Sequence, residues 1–296
     1  MKDTHRVLVL ESSSPSMNLQ QGLNLQSLIA CQNYNPQDAV HPAASACSRG
    51  MTAMEEKTVK AILFDLDNTL IETSRAGAVA IQKTSELLKT TLGLDDKTTS
   101  SICDKFKHKL FHESFDPAAG RSIDDVRVGH WEESIQETLG GSSTPSLAAQ
   151  CYTLWKSSRL ELLSLSPQIC DLLKNLHRRY KLLLLTNGEA QTQREKVDAV
   201  GCEEFFDAVV IGGEHPEQKP YISIFTLCFQ KLEVEAQDCI MVGDSLDTDI
   251  QGGFNARVRA TVWISGAGGA VPDGSVKPDY TIPTVLDLPQ VLEQLK

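Results

Sequence analysis

Five short apolar runs recur along the chain: AILF at 61–64, LLLL at 182–185, VVI at 209–211, IMV at 240–242 and TVWI at 261–264. None alternates with polar residues, and Asp, Asn or Gly bounds them. Runs of this kind suit strands covered on both faces, the situation of a parallel sheet. Parallel neighbours need a crossover, usually a helix, and helical signals lie where crossovers are required. Ser166-Pro167 sets a capping hydroxyl before a proline at the first helical position, ahead of QICDLLKNLH. QTQREKVDAV ends at Gly201, a suitable residue just past a helix. Pro220 is expected to open a further helix carrying Phe225, Leu227 and Phe229, and Leu288, Val291, Leu292 and Leu295 form a terminal apolar stripe. The body of the chain therefore reads as α/β, a Rossmann-like parallel sheet with right-handed crossovers.

One stretch interrupts the alternation. From residue 72 to residue 164 the patterns are helical only, as in AGAVAIQKTSELLKTTLG, SICDKFKHKLF, HWEESIQETLG and SLAAQCYTLWKSSRLELL. This predicts an all-helical cap domain at 72–164, inserted into an α/β core formed by 58–71 and 165–296. An insert leaving the first strand at its carboxyl end overhangs the crevice where α/β sheets bind ligands. Trp131 and Trp155 are expected to pack the interior of this insert. Residues 1–57, rich in Ser, Gln, Asn and Pro without sustained periodicity, read as a disordered extension.

The formal net charge of −11 offers no general field for phosphate backbones or anionic membranes, so neither nucleic acid nor membrane is an expected partner. No run of 18 apolar residues occurs. The eight cysteines form no C-x-x-C pair and no zinc-ligand spacing. Reduced, buried thiols and a cytoplasmic location are the expectation.

Four short motifs follow the predicted strands. Asp65 and Asp67 sit in FDLDNTL, directly after the first run; a strand-end turn is the competing reading. Thr186-Asn187-Gly188 follows the second run and offers a hydroxyl and main-chain N–H groups to an anion, or simply a helix cap. Lys219-Pro220 follows the third, where a lysine ahead of a helix N-terminus calls for an anion, a solvated surface lysine being the competing reading. The fourth is GDSLDTD at 243–249, whose clustered acids require a cation; hard oxygen donors suit Mg²⁺. Carboxyl ends of parallel strands line one crevice, so together the motifs read as one site.

In this order D-x-D-x-T, T-N, K-P and G-D-x-x-x-x-D resemble the haloacid dehalogenase superfamily of phosphohydrolases, over residues 59–296. The resemblance implies a haloacid dehalogenase core with an inserted helical cap, and an aspartyl-phosphate mechanism. Asp65 would be the nucleophile and Asp67 the acid and base. Mg²⁺ would be held by Asp65, the Asp67 carbonyl and Asp244. Leu66, Asp67, Thr186, Asn187 and Lys219 would grip the phosphoryl group, with Asp249 behind them holding metal-bound water or Lys219. The strings FDLDNTLIET, GHWEESIQETLGG, YTLWKSSRL, LLLLTNGEAQTQREK and MVGDSLDTDIQGG extend the likeness through the cap, towards a branch acting on a small sugar phosphate that carries a carboxylate. Among Arg75, Arg127, Arg159 and His130, the residues singled out for that carboxylate are Arg127 and His130; an ordinary salt bridge is the competing role for each. The alternatives are a phosphatase of another small organic phosphate, a sugar-phosphate mutase, and a non-catalytic binding protein. SGAGGAVPDG at 265–274 lacks G-K-[ST] and reads as a connection, not a phosphate loop.

Overall fold

A computed structural model of the chain describes residues 58–141, 145–266 and 268–296; the expectation of a disordered extension at 1–57 lies outside them. Six parallel strands form one sheet: β1 (Ala61–Phe64), β2 (Lys181–Thr186), β3 (Ala208–Ile211), β4 (Cys239–Gly243), β5 (Ala260–Ile264) and β6 (Tyr280–Ile282), in the order β3-β2-β1-β4-β5-β6. β1 is central, with Ala61 paired to Lys181 on one side and to Cys239 on the other. All four β1 residues are fully buried, as an unalternating run demands. Ile62 and Phe64 face one half of the core, with Leu173 and Val291, whereas Ala61 and Leu63 face the other, with Phe225 and Cys228.

Four helices occupy the stretch between β1 and the rest of the core: α1 (Thr73–Leu92), α2 (Asp96–Phe111), α3 (Ile123–Leu139) and α4 (Pro145–Glu161). Ser122 caps α3 and exchanges bonds with Asp125, the reciprocal pattern that satisfies two orphan donors. The interior of these helices centres on Phe106, stacked on Trp131 at 3.9 Å between ring centroids and edge-on to Trp155 at 5.3 Å. Five helices belong to the sheet: α5 (Pro167–His177), α6 (Ala190–Val200), α7 (Ile222–Leu232), α8 (Gln251–Asn255) and α9 (Leu288–Gln294). Ser166 accepts from Ile169 N and Gly201 adopts the left-handed conformation, as their positions predict.

Two details differ from the sequence reading. β6 is an additional strand, only three residues long and set among prolines. And α7 starts at Ile222, not at Pro220, so Lys219 does not stand at a helix start. No helix of the described residues is long and apolar enough to cross a membrane. Five of the six described cysteines are buried and all six are free.

Candidate active site

The four motifs meet at the carboxyl edge of the sheet. Asp65 leaves β1, and its main-chain N–H donates to Val242 O at 2.9 Å, which locks the turn to β4. Lys219, from the loop after β3, sends its ammonium inward. It donates to Asp65 Oδ1 at 2.7 Å and to Leu185 O at 2.6 Å, and lies 2.7 Å from Asp249 Oδ1. Asp249 is fixed in turn by Ser245 N at 3.0 Å. Its approach depends on Gly243, where a Cβ would lie 2.2 Å from Asp249 Oδ2; the glycine of this motif is a matter of space. Asp244 is held through its carbonyl, which accepts from Trp263 Nε1 at 2.8 Å.

Asp65, Asp244 and Asp249 can each bring one oxygen within 4.8 Å of the others. Three carboxylates around one ammonium leave the cluster short of positive charge. Burial first, and Asp249 next among the carboxylates, push Asp65 up to about 7 against the pull of Lys219. Asp244 is pushed up to about 6 by burial and then by Asp249. Burial pulls Lys219 down, but Asp249 and Asp65 outweigh it and hold its ammonium charged. Because Lys219 occupies one oxygen of Asp65 and one of Asp249, the donors free to meet a cation are the rest of Asp65 and the carboxylate of Asp244. A hard divalent cation such as Mg²⁺ fits that oxygen set and the charge shortfall.

Asp67 points elsewhere. Lys196 donates to both of its oxygens at 2.8 and 2.6 Å, Gln193 Nε2 donates at 3.1 Å, and the Thr73 hydroxyl also donates. Burial raises the Asp67 carboxyl, but Lys196 and these bonds prevail and hold it below the usual range. In this arrangement Asp67 is ionised. The Thr186 hydroxyl is fully buried and accepts from Gln193 Nε2 at 2.6 Å.

Some expectations change at this level of detail. The Asn187 side chain does not face the cluster with free donors: its Nδ2 donates to Lys219 O at 2.8 Å and its Oδ1 accepts from Lys219 N at 3.0 Å, so it clamps the lysine's main chain. The Gly188 N–H donates to Gln218 Oε1 at 2.8 Å. Arg127 is not free for a substrate carboxylate. Its Nε and Nη2 grip Glu113 at 2.8–3.2 Å, and Nη1 donates to Thr192 Oγ1 at 2.8 Å, tying α3 to α6. His130 Nε2 lies 3.3 Å from the same Glu113, and burial pulls its pKa down. Arg75 pairs with Glu72 at 2.8 Å on the surface.

Sequence reasoning missed Gln193, Lys196, Thr73, Gln218 and Trp263. A signal for the first two was present. α6 packs on the sheet directly after the Thr-Asn-Gly turn, yet two of its three buried positions are Gln193 and Lys196, beside Val197, where a crossover helix ordinarily places apolar residues.

The model of haloacid dehalogenase-like hydrolases matches residues 59–257. The chain is 47% identical over 237 residues to the N-acylneuraminate-9-phosphatase of Rattus norvegicus, covering 80% of this chain and 95% of that protein. The human protein of the same name is 46% identical over the same shares. A ribulose-1,5-bisphosphate 5-phosphatase of Halopiger xanaduensis is 29% identical, over 65% of this chain and 79% of that one. Among solved structures, the magnesium-bound hydrolase YfnB from Bacillus subtilis superposes with a TM-score of 0.58 at 22% identity, covering 79% of this chain and 99% of that chain. This last likeness speaks for the fold.

Proposed function

The chain belongs to the haloacid dehalogenase-like hydrolases, and on that premise we propose that it is a Mg²⁺-dependent phosphatase that hydrolyses N-acylneuraminate 9-phosphate to the free sugar acid and phosphate. The substrate is carried over from the N-acylneuraminate-9-phosphatases, with which the chain shares 46–47% identity through the helical insert as well as the core. The observation that carries the chemistry is the Asp65–Lys219–Asp249 chain beside Asp244, a charge-deficient carboxylate cluster at the end of the central strand.

Asp65 is the nucleophile. Its carboxylate forms a bond to phosphorus as the ester P–O bond breaks, which divides one difficult hydrolysis into two easier displacements. Lys219 orients that carboxylate and is itself held by Asp249 and by the Asn187 clamp. For the first step Asp67 must first take up a proton, which it gives to the leaving alkoxide; the carboxylate so formed then takes a proton from the water that attacks the aspartyl-phosphate, so the carboxyl ends the cycle protonated as it entered it. The ionised form held by Lys196 suits that second step. Asp65, Asp244 and the main-chain carbonyl of Asp67 would hold Mg²⁺, which when bound offsets the repulsion between nucleophile and phosphate. Helices α1–α4 act as a cap that limits access of water, and a cytoplasmic setting agrees with the free thiols.

Phosphate release by the purified protein tests this reading. The panel is N-acetylneuraminate 9-phosphate, phosphoglycolate, hexose phosphates and nucleoside monophosphates, with and without Mg²⁺. A Mg²⁺-dependent preference for the neuraminate ester is expected. A stronger preference for another ester would discard the substrate, and an isomeric phosphate in place of free phosphate would make the chain a mutase.

A further inference from the structure

Several cations on the insert and on α6 have a carboxylate within ion-pair distance. Arg127 has Glu113, Lys196 has Asp67, and Lys156 has both Asp124 at 2.9 Å and Glu195 at 2.7 Å. Lys107 has Asp104 at 2.7 Å. Arg159, near the end of α4, is different. Among the described residues no carboxylate and no hydrogen-bond acceptor is paired with its guanidinium, which lies over the Trp155 ring with Cζ 5.3 Å from the centroid. Burial pulls its pKa down while the charge of Asp67 pulls it up, so it lies within the field of the site. A guanidinium half out of water with no partner is costly, and the indole fixes the plane in which it can receive one.

Arg159 also borders a cavity of about 510 Å³ between α1, α2 and α4, whose other walls include Thr73, Ser74, Ala78, Phe106 and Trp155. Thr73 is at once a wall of this cavity and a donor to Asp67, so the cavity adjoins the reacting groups. Its volume is in the range of sites for small organic molecules. We propose that Arg159 is the specificity-determining residue that binds the substrate's carboxylate in this cavity while the phosphate lies at Asp65. A planar guanidinium meets a carboxylate with two parallel bonds, a geometry no ammonium offers. The proposal rests on the phosphatase reading, and it replaces Arg127, whose guanidinium Glu113 occupies.

Two substrate pairs separate the two ideas. N-acetylneuraminate 9-phosphate and its carboxyl methyl ester differ only in the anion; 3-phosphoglycerate and glycerol 3-phosphate make the same comparison without the sugar. For the wild-type protein, methylation should lower kcat/KM about 10- to 100-fold, chiefly through KM. Arg159→Met should lower kcat/KM on the free acid by a similar factor, and at least tenfold more than on the methyl ester. Arg159→Lys should recover only part of the loss. The wild-type arm needs no variant, so a poorly folding mutant leaves the test intact. Calorimetric binding of N-acetylneuraminate needs no turnover, and Arg159→Met should weaken it. Equal losses on acid and ester, an effect of methylation under about threefold, or unchanged calorimetric affinity overturns the proposal. A protein that ignores the neuraminate ester but prefers 3-phosphoglycerate through Arg159 would discard the sugar and keep the residue.

Discussion

The sheet edge and the helices above it solve opposite electrostatic problems. At the carboxyl ends of β1 and β4, three carboxylates share one ammonium, and two of them, Asp65 and Asp244, are pushed up to about 7 and about 6. Across the crevice, on α3, α4 and α6, charges are paired nearly one to one, through Arg127–Glu113, Lys156–Asp124 and Lys196–Asp67. The paired region holds itself together. The unpaired one gains its balance only when something binds. The acidic cluster below and the Arg159 guanidinium above are the places where a cation and an anion are expected.

Four outcomes would sharpen or break this contrast. Asp65→Asn should reduce kcat by about 10⁴-fold or more, because in the proposed mechanism it removes the attacking atom; single-turnover phosphate release reads it, and a loss within tenfold would remove Asp65 from the chemistry. Asp244→Asn should raise the Mg²⁺ concentration for half-activation at least about 10-fold, yet stabilise the metal-free fold by about 0.5–2 kcal/mol. The sign follows from a carboxyl whose folded pKa is raised: its ionisation opposes folding increasingly as pH climbs from 3.8 through about 6. The gain, measured by urea unfolding in chelator, should be full at pH 7 and gone below pH 4. A loss of stability at pH 7 would mean the cluster is not repulsive.

Lys196→Met should do the reverse, lowering stability by about 1–3 kcal/mol at pH 7. Asp67 is held below its ordinary 3.8, so the stabilisation is present above that value and lost as pH falls through the folded one. The wild-type advantage should vanish in acid, where burial opposes the charge of Lys196 with no ionised Asp67 beside it, and the acid edge of kcat should move to higher pH in the variant. A difference that persists at pH 3 would point to packing in place of charge. The smallest effect belongs to Lys156→Met. Its partners Asp124 and Glu195 are 38% and 30% exposed, a setting where pairs contribute about 0–1 kcal/mol. Less than threefold change in kcat/KM is expected; a larger one would make that pair part of how the insert seats.

Legibility in the sequence follows the same division. The five long strands, the insert and the four motifs are local in the chain. Each is a run or a spacing, and the structure sets them where parallel-sheet geometry requires. β6 was illegible because three residues between Pro278 and Pro283 give no periodicity. Lys196 and Gln193 were illegible as site residues because their partner Asp67 lies 129 and 126 positions away, and only the assembled α6 brings them to it. Arg127 shows the opposite failure: residue type alone cannot say that Glu113 has already taken the guanidinium.

The place of β1 in the middle of the sheet also bears on how the molecule comes into being. Ala61 is synthesised early, but its two neighbours, Lys181 and Cys239, follow 120 and 178 positions later. Helices α1–α4 lie between and can form from nearby residues while β1 waits with both edges open. Long-range parallel pairing of this kind is slow and leaves strand edges exposed to other chains. The site is complete only when β4 docks, since Asp244 and Asp249 follow that strand. Newly made chains should therefore become active in one late step, and a truncation ahead of residue 239 should yield a species that aggregates instead of a weak enzyme.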